Sequence, residues 1–152
     1  MPPEAPDMVI SLHACDIATD IVLANAVKWG AKVILSTPCC HHEMSKQLSE
    51  KSDTAEMRGE LSFILEHPML KQKLCDAATD ALRAKRLESV GYSVTTLELI
   101  DPDETPKNLM IRAVKSKGRN SSCEAALIEY RRICRGLGVS PYLDRLLEEN
   151  GK

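Results

Sequence analysis

The sequence predicts an α/β fold: an open sheet of two parallel strands and a closing antiparallel hairpin, with helices on both faces. Two apolar runs of strand length, residues 8–13 and 31–37, flank a segment with helical periodicity, and the first run is expected to be a buried strand. Residues 92–101 and 108–115 alternate polar with apolar side chains across a Pro-containing loop, which is typical of a hairpin. A strand, a helix and a strand in this order form a βαβ unit, whose strands pair in parallel through a right-handed crossover.

The first predicted helix is bounded by residues that favour helix ends. Asp16 belongs to the residue types that cap a helix N-terminus through their side chains. Apolar residues recur after it at helical spacing: Ile17, Ile21, Ala24 and Val27. Gly30 follows the last turn, where glycine readily adopts the left-handed conformation that ends a helix. We therefore expect one helix of about twelve residues between the parallel strands.

Residues 43–90 are predicted to be helical, with a break at His67-Pro68 because proline disfavours the helical conformation of the residue before it. One stripe after this break is apolar and is expected to be buried: Leu70, Leu74, Ala77, Ala78, Ala81, Leu82 and Leu87. The charged residues between them are expected to lie on the helix surface: Lys71, Lys73, Asp76, Asp80, Arg83, Lys85 and Arg86. Gly91 ends this helix before the hairpin.

Length and composition limit the class of protein. A chain of 152 residues, 43% apolar and 28% charged, is long enough for one domain with a substantial core and too short for two. No apolar run is long enough to cross a bilayer, so we expect no membrane partner, a cytoplasmic location and six reduced cysteines. The net charge of -2 provides no general attraction for a polyanion. Local basic clusters are the candidates for nucleic-acid contact: Arg112, Lys115, Lys117 and Arg119, and Arg131, Arg132 and Arg135.

Polar residues follow both predicted parallel strands. The first strand is followed by His13-Ala14-Cys15-Asp16, and the second by Thr37-Pro38-Cys39-Cys40-His41-His42. In open α/β sheets, ligands bind outside the carboxyl ends of the parallel strands. Because adjacent strands are about 5 Å apart, the two polar clusters are expected to meet at one rim of the sheet.

The string Cys39-Cys40-His41-His42 permits more than one interpretation. Thiolates and imidazoles are zinc ligands, but adjacent residues of an extended chain point to opposite sides, so the pattern favours a pocket lining over a metal site. Plain structural packing stays open, and a disulfide between the neighbouring cysteines would be strained. If the site is catalytic, either histidine could accept a proton, and either cysteine could pack against the group that is transferred or act as nucleophile.

Two separated motifs carry a resemblance to a known family. LHACDIATD (12–20) and ILSTPCCHHEM (34–44) resemble paired motifs of S-adenosylmethionine-dependent methyltransferases related to the tRNA 2'-O-methyltransferases of the acceptor stem. The segments 79–92 and 99–115 are similar to the last helix and closing strands of bacterial relatives. The resemblance implies a partial Rossmann-like methyltransferase sheet with S-adenosylmethionine as cofactor and RNA as a possible acceptor. It implies these cofactor-binding residues: Leu12, His13, Ala14, Asp16 and Pro38. It implies these catalytic residues, and no metal: Cys39, Cys40, His41 and His42.

The sequence departs from that family in one respect. Class I methyltransferases hold the cofactor with a Gly-rich turn, whereas the seven glycines here form no G-x-G-x-x-G string. We therefore predict that residues 1–118 form the C-terminal half of a methyltransferase domain. Residues 119–152 are predicted to add a helical extension, with one helix from Ser121 and a short one after Pro141. Alone, the chain is expected to bind S-adenosylmethionine weakly or not at all and to be inactive.

Two other functions stay open on the sequence alone. The first is a non-catalytic binding or assembly module that uses the half-fold without a cofactor. The second is a metal-dependent or thiol-based enzyme built on the cysteines and histidines of the rim. The uncharged strand at residues 8–12 is also expected to mediate self-association, because an unprotected apolar strand edge invites pairing.

Overall fold

The structure is a computed structural model that describes residues 4–50, 56–99, 108–117 and 121–149. Four strands and seven helices lie in these ranges. In chain order they are β1 (Met8–Leu12), α1 (Ile17–Trp29), β2 (Val33–Thr37), α2 (His42–Ser49), α3 (Glu56–Glu60), α4 (Ser62–Leu65), α5 (Pro68–Glu88), β3 (Tyr92–Glu98), β4 (Leu109–Lys115), α6 (Ser121–Leu137) and α7 (Tyr142–Glu149). The predicted strand end at 100–101 and the loop up to residue 107 lie outside the described residues.

The sheet has the strand order β1-β2-β4-β3. The strands β1 and β2 pair in parallel, from Met8 opposite Val33 to Leu12 opposite Thr37. The strand β4 pairs antiparallel with both β2 and β3. The predicted mixed α/β sheet, with two parallel strands and an antiparallel hairpin, is confirmed.

The turn between α1 and β2 is set by Gly30, as predicted. Gly30 has a φ of 73°, in the left-handed region, and its N–H donates to the Val27 carbonyl at 3.0 Å. The N–H of Ala31 donates to the Ala26 carbonyl at 3.0 Å, which completes a Schellman motif. This turn directs the chain from the end of α1 into β2.

The two faces of the sheet differ in burial. The main core lies on one face and draws residues from α1, α5, α7 and three strands: Leu23, Ile34, Leu87, Tyr92, Ile111, Ala113 and Leu143. On the other face Met8, Ile10 and Leu12 are 48%, 57% and 64% exposed. Alternate residues of a strand point to opposite faces, so β1 is only half-buried and the expectation of a fully buried strand is wrong. Among the described residues the core helices pack on one face, whereas the sequence predicted helices on both.

The predicted break before α5 is confirmed, with Pro68 in the first turn of this helix. The predicted surface of α5 needs three corrections, because Arg83 and Arg86 are only 3% and 6% exposed and Asp80 only 7%. Arg83 and Arg86 are buried because each pairs with a distant carboxylate, Asp20 and Asp144, and Asp80 is buried between Arg83 and the imidazole of His41. Leu70, predicted to be buried, is 46% exposed.

The last helix, α7, packs into the core beside the sheet, and α6 packs against α5. Leu143 and Leu147 of α7 lie in the same core as Leu23 of α1, and Arg86 of α5 pairs with Asp144 of α7 at 2.6 Å. The predicted helices from Ser121 and after Pro141 are both present; the proposed boundary at residue 118 stays a prediction. None of the helices in the described ranges combines the length and apolarity needed to cross a bilayer.

Candidate active site

The loops that follow β1 and β2 are hydrogen-bonded to each other. The N–H of His13 donates to the carbonyl oxygen of Thr37 at 3.0 Å and to its Oγ1 at 3.1 Å. The N–H of Asp16 donates to the carbonyl oxygen of Cys40 at 3.1 Å. The predicted meeting of the two polar clusters is therefore observed, and we call residues 13–16 together with 37–42 the rim.

The first loop of the rim holds an unusual backbone conformation. His13 and Asp16 have φ values of 52° and 47°, a region that residues with a Cβ atom rarely occupy. Two side chains hold the carbonyl groups of this loop: Thr19 Oγ1 donates to Ala14 at 2.7 Å, and Arg83 Nη2 donates to Asp16 at 2.9 Å. Such strain costs about 1–3 kcal/mol per residue and persists only where the surroundings impose it, commonly at functional sites.

The carboxylate of Asp16 caps a different helix from the one predicted. Asp16 precedes α1, but its side chain makes no capping hydrogen bond there. Instead Oδ1 accepts from the backbone N–H of Glu43, in the first turn of α2, at 3.1 Å. The positive φ of Asp16 accompanies this change of partner. The carboxylate therefore links the first loop of the rim to the start of α2 instead of stabilising its own helix.

His41 lies between two carboxylates of α5. Its Nδ1 is 3.1 Å from Oδ1 of Asp76, and its Nε2 is 2.9 Å from Oδ1 of Asp80. The imidazole is 4% exposed, and both ring nitrogens are engaged. Asp76 and Asp80 were predicted to lie on the helix surface. Their spacing of four residues, which puts both on the same side of α5, was the only sequence signal that they could share one partner.

A buried ion network continues from Asp80. Arg83 donates from Nη1 to Asp80 at 3.1 Å and, through Nε and Nη2, to the two carboxylate oxygens of Asp20 at 2.7 and 3.2 Å. Burial raises the pKa of Asp20 above its usual range, against the lowering effect of the nearby guanidinium. For Arg83, burial acts to lower the pKa, but the hydrogen bond and charge of Asp20 outweigh it and raise the pKa. No local pattern in the sequence indicates this network, which ties α5 to Asp20 in the first turn of α1.

Three thiols meet at the rim. The Sγ atoms of Cys39 and Cys40 are 3.5 Å apart, and those of Cys40 and Cys15 are 3.9 Å apart. All three Sγ atoms lie within 4.8 Å of one another. The assumption that the two neighbouring cysteines point to opposite sides is therefore wrong, because β2 ends at Thr37 and the alternation of a strand does not continue through residues 39 and 40.

The predicted cofactor and catalytic residues differ in accessibility. Leu12 is 64% exposed. Of the other predicted residues, His13 and His42 are exposed, Ala14, Asp16, Cys39 and Cys40 are half-buried, and Pro38 and His41 are buried. A cavity of about 560 Å³ lies beside the rim and is lined by Pro38, His41, Asp76, Asp80, Thr96 and Leu109, among others. The buried members of the rim thus face α5 and the hairpin, and the exposed members face solvent.

Glu43 ties the rim to the C-terminal helix. Its Oε2 accepts from the backbone N–H of Tyr142 at 3.2 Å, and its Oε1 pairs with Arg145. Burial raises the pKa of the Glu43 carboxyl, while the charge of Arg145 acts to lower it. The first turn of α2 is thereby held from both sides, by Asp16 and by α7.

Comparison with known families gives a match over the segment that contains the rim. Residues 1–47 match a methyltransferase domain. This match covers β1, α1, β2 and most of α2, and so contains every predicted site residue. The partners supplied by α5, namely Asp76, Asp80 and Arg83, lie outside it. Methyltransferase domains generally use S-adenosylmethionine as the methyl donor.

Curated relatives are similar over a longer range. A human protein described as glutathione S-transferase C-terminal domain-containing protein is 29% identical over 122 residues, which cover 69% of this chain and 19% of the relative. Proteins of the same description from Bos taurus and Mus musculus are 26% and 28% identical over the same length. The chain thus spans about a fifth of the length of these relatives. No solved structure matched this chain.

Proposed function

We propose that the rim is the methyl-transfer site of an S-adenosylmethionine-dependent methyltransferase domain, with RNA as the acceptor. The observation that carries the proposal is the 3.1 Å hydrogen bond from the N–H of Asp16 to the carbonyl of Cys40. It joins the loops after two parallel strands into one site, at the end of the sheet where such folds bind ligands. The match of residues 1–47 supports the class of reaction.

The proposed cofactor contacts are Leu12, His13, Ala14, Asp16 and Pro38. When bound, S-adenosylmethionine supplies a methyl group activated by a positively charged sulfur. Leu12 and His13 are exposed and offer an apolar and a polar contact to such a ligand. The exposed members of this set fit the cofactor as one wall of a site. Because the sequence has no G-x-G-x-x-G string to add a second wall, we expect weak binding by this chain.

The proposed acceptor side comprises Cys39, Cys40, His41 and His42. Methyl transfer is an in-line displacement, so the protein mainly aligns the partners and removes the proton of the acceptor. His42 is exposed at the first position of α2, and one of its ring nitrogens is the proposed proton acceptor. Both ring nitrogens of His41 are engaged by carboxylates, so its proposed role is to position the rim.

Nuclear magnetic resonance titration tests the cofactor side. We expect S-adenosylmethionine to perturb amide resonances of residues 12–16 and 39–42, with calorimetry showing no binding tighter than the micromolar range. Leu12→Ser should abolish the perturbation without unfolding the chain, because the side chain is 64% exposed. Leu97→Ser, at a 40% exposed leucine of β3, is the matched control and should leave it intact. Perturbed resonances outside residues 12–16 and 39–42, or the same result for both variants, would contradict the proposed site. Binding tighter than micromolar would contradict the expectation that the cofactor site lacks a second wall.

RNA as acceptor is supported by exposed arginines on α6. Arg131, Arg132 and Arg135 are exposed, and Arg131 has a 3.4 Å contact with Glu148. The double variant Arg131→Gln/Arg135→Gln should weaken RNA binding and reduce the salt dependence of log K by about 0.7 per lost phosphate contact for single strands. Lys28→Gln/Lys46→Gln removes the same charge from other exposed positions and should change binding less. Equal losses in both variants would indicate attraction by net charge alone.

A non-catalytic binding module is the second candidate function, favoured by the exposed apolar side chains of β1. The titration separates the two candidates. The binding module is favoured if saturating S-adenosylmethionine leaves the rim resonances unchanged and the chain self-associates through β1.

A further inference from the structure

We propose that Cys15, Cys39 and Cys40 form a binding site for a soft divalent metal ion of the Zn²⁺ class, held by three thiolates. The inference goes beyond methyl transfer and does not depend on it. Three free thiols from two loops lie next to one another, although Cys15 and Cys39 are 24 residues apart in the chain. Soft thiolate ligands select Zn²⁺ or Cu⁺ over Mg²⁺ and Ca²⁺.

The sulfur separations match those of a metal–thiolate site. Zn–S bonds of about 2.3 Å in a tetrahedral site place the sulfur atoms about 3.8 Å apart. The two measured Sγ–Sγ distances are 3.5 Å between Cys39 and Cys40 and 3.9 Å between Cys40 and Cys15. The third pair is also within 4.8 Å. Small side-chain rotations therefore suffice to bring all three sulfur atoms onto one ion.

The backbone holds the thiols in place without a metal. Cys15 lies between the two residues of positive φ, His13 and Asp16, whose N–H groups bond to the second loop. Thr19 and Arg83 hold the carbonyl groups on either side of Cys15. A site that is ordered before the ion arrives loses less conformational entropy on binding.

Two helix N-termini lie close to the three thiols. Cys15 lies two residues before the first residue of the 13-residue helix α1, and Cys40 lies two residues before the 8-residue helix α2. The N-termini of both helices adjoin the thiols, and the partial positive charge of a helix N-terminus stabilises nearby negative charge. Cys15 is exposed, so water can take the fourth position, as in zinc sites with three protein ligands.

Cobalt titration of the reduced, metal-free chain under argon tests the proposal. We expect one equivalent of Co²⁺ to give a sulfur-to-cobalt charge-transfer band in the near ultraviolet, and Zn²⁺ to displace it. Cys15→Ser and Cys40→Ser should each weaken Co²⁺ binding by at least about 100-fold. Removing a residue that only hydrogen-bonds to a metal ligand already weakens metal binding by about 10–100-fold. Cys123→Ser, in α6, is the matched control and should bind Co²⁺ as the unmodified chain does.

Three results would overturn the proposal. One is the absence of a charge-transfer band in the folded chain, with folding checked by circular dichroism. Another is a band that survives in Cys15→Ser, an exposed position whose substitution should not unfold the chain. The third is a mass loss of two hydrogens on exposure to air with no metal uptake, which would identify the thiols as a redox pair.

Discussion

The carboxylate of Asp16 accepts a hydrogen bond from the backbone N–H of Glu43 at 3.1 Å. A residue of the loop after β1 thus caps the helix after β2, and the N–H of Asp16 itself bonds to the carbonyl of Cys40. Two loops that are separate in the chain are joined at the same residue, so the geometry of the rim depends on Asp16.

Asp16→Ala should lower the free energy of unfolding by about 1 kcal/mol, the usual cost of losing a capping side chain. Asp16→Asn is the matched control, because its side-chain oxygen can accept the same hydrogen bond and asparagine tolerates positive φ. Urea denaturation measures both variants. Equal stability of the alanine and asparagine variants would show that the bond to Glu43 contributes nothing.

Arg83→Met should lower the free energy of unfolding by about 3–5 kcal/mol, because it leaves buried carboxylates without their partner. Arg83→Lys should recover only part of this loss, since lysine cannot make the two-point contact with Asp20. Arg112→Met, at an exposed arginine of β4, is the control and should change stability by less than about 0.5 kcal/mol. A loss in Arg83→Met no larger than in this control would contradict the network.

Ile10→Lys should reduce self-association of the chain. Ile10 is 57% exposed in β1, and among the described strands only β2 pairs with β1, so one edge and one face of β1 are open. Ile128→Lys, at a 63% exposed isoleucine of α6, carries the same change away from the sheet and is the control. Analytical ultracentrifugation should show a lower association constant for Ile10→Lys alone. If the unmodified chain and both variants are monomers, the prediction of pairing through residues 8–12 is contradicted.

The free energy of unfolding should fall as pH rises above 9 under reducing conditions. Burial raises the pKa of the Cys134 thiol from 9.0 to about 11, so the unfolded state loses this proton at a pH where the folded state keeps it. Fewer bound protons in the unfolded state make stability decrease with pH between these two values. Burial raises the pKa of Tyr130 as well and adds to the effect above its ordinary value of 10.0. Cys134→Ala should make the fall in stability between pH 9 and 11 less steep, leaving the contribution of Tyr130. An unchanged dependence on pH would contradict the role of the Cys134 thiol.

The strands and helices could be predicted because their signals are local. Alternation in Tyr92–Glu98, the glycine after Trp29 and the proline at position 68 each act within a few residues, and each element was found where expected. The topology of the parallel pair followed from the order strand, helix, strand. That topology brought both polar clusters to one end of the sheet, so the meeting of Asp16 with Cys40 could be anticipated.

The contacts within the rim could not be anticipated in the same way. Arg83 and Asp20 are 63 residues apart, and the His41 contact with Asp80 spans 39 residues. Helical periodicity says which residues share a face, but it does not say whether a charged residue on that face finds a partner. A charged side chain without one would have to stay in solvent, which is why the sequence placed Arg83 and Asp80 outside.

By itself, the sequence determined the order of the elements, the parallel pair and the end of the sheet at which the cysteines and histidines gather, because these follow from short-range periodicity and chain connectivity. Only the tertiary structure decided that Cys15 joins Cys39 and Cys40, that His41 is held by two carboxylates, and that Asp16 caps α2. These depend on side-chain directions across a turn with positive φ and on long-range burial, which no local pattern encodes.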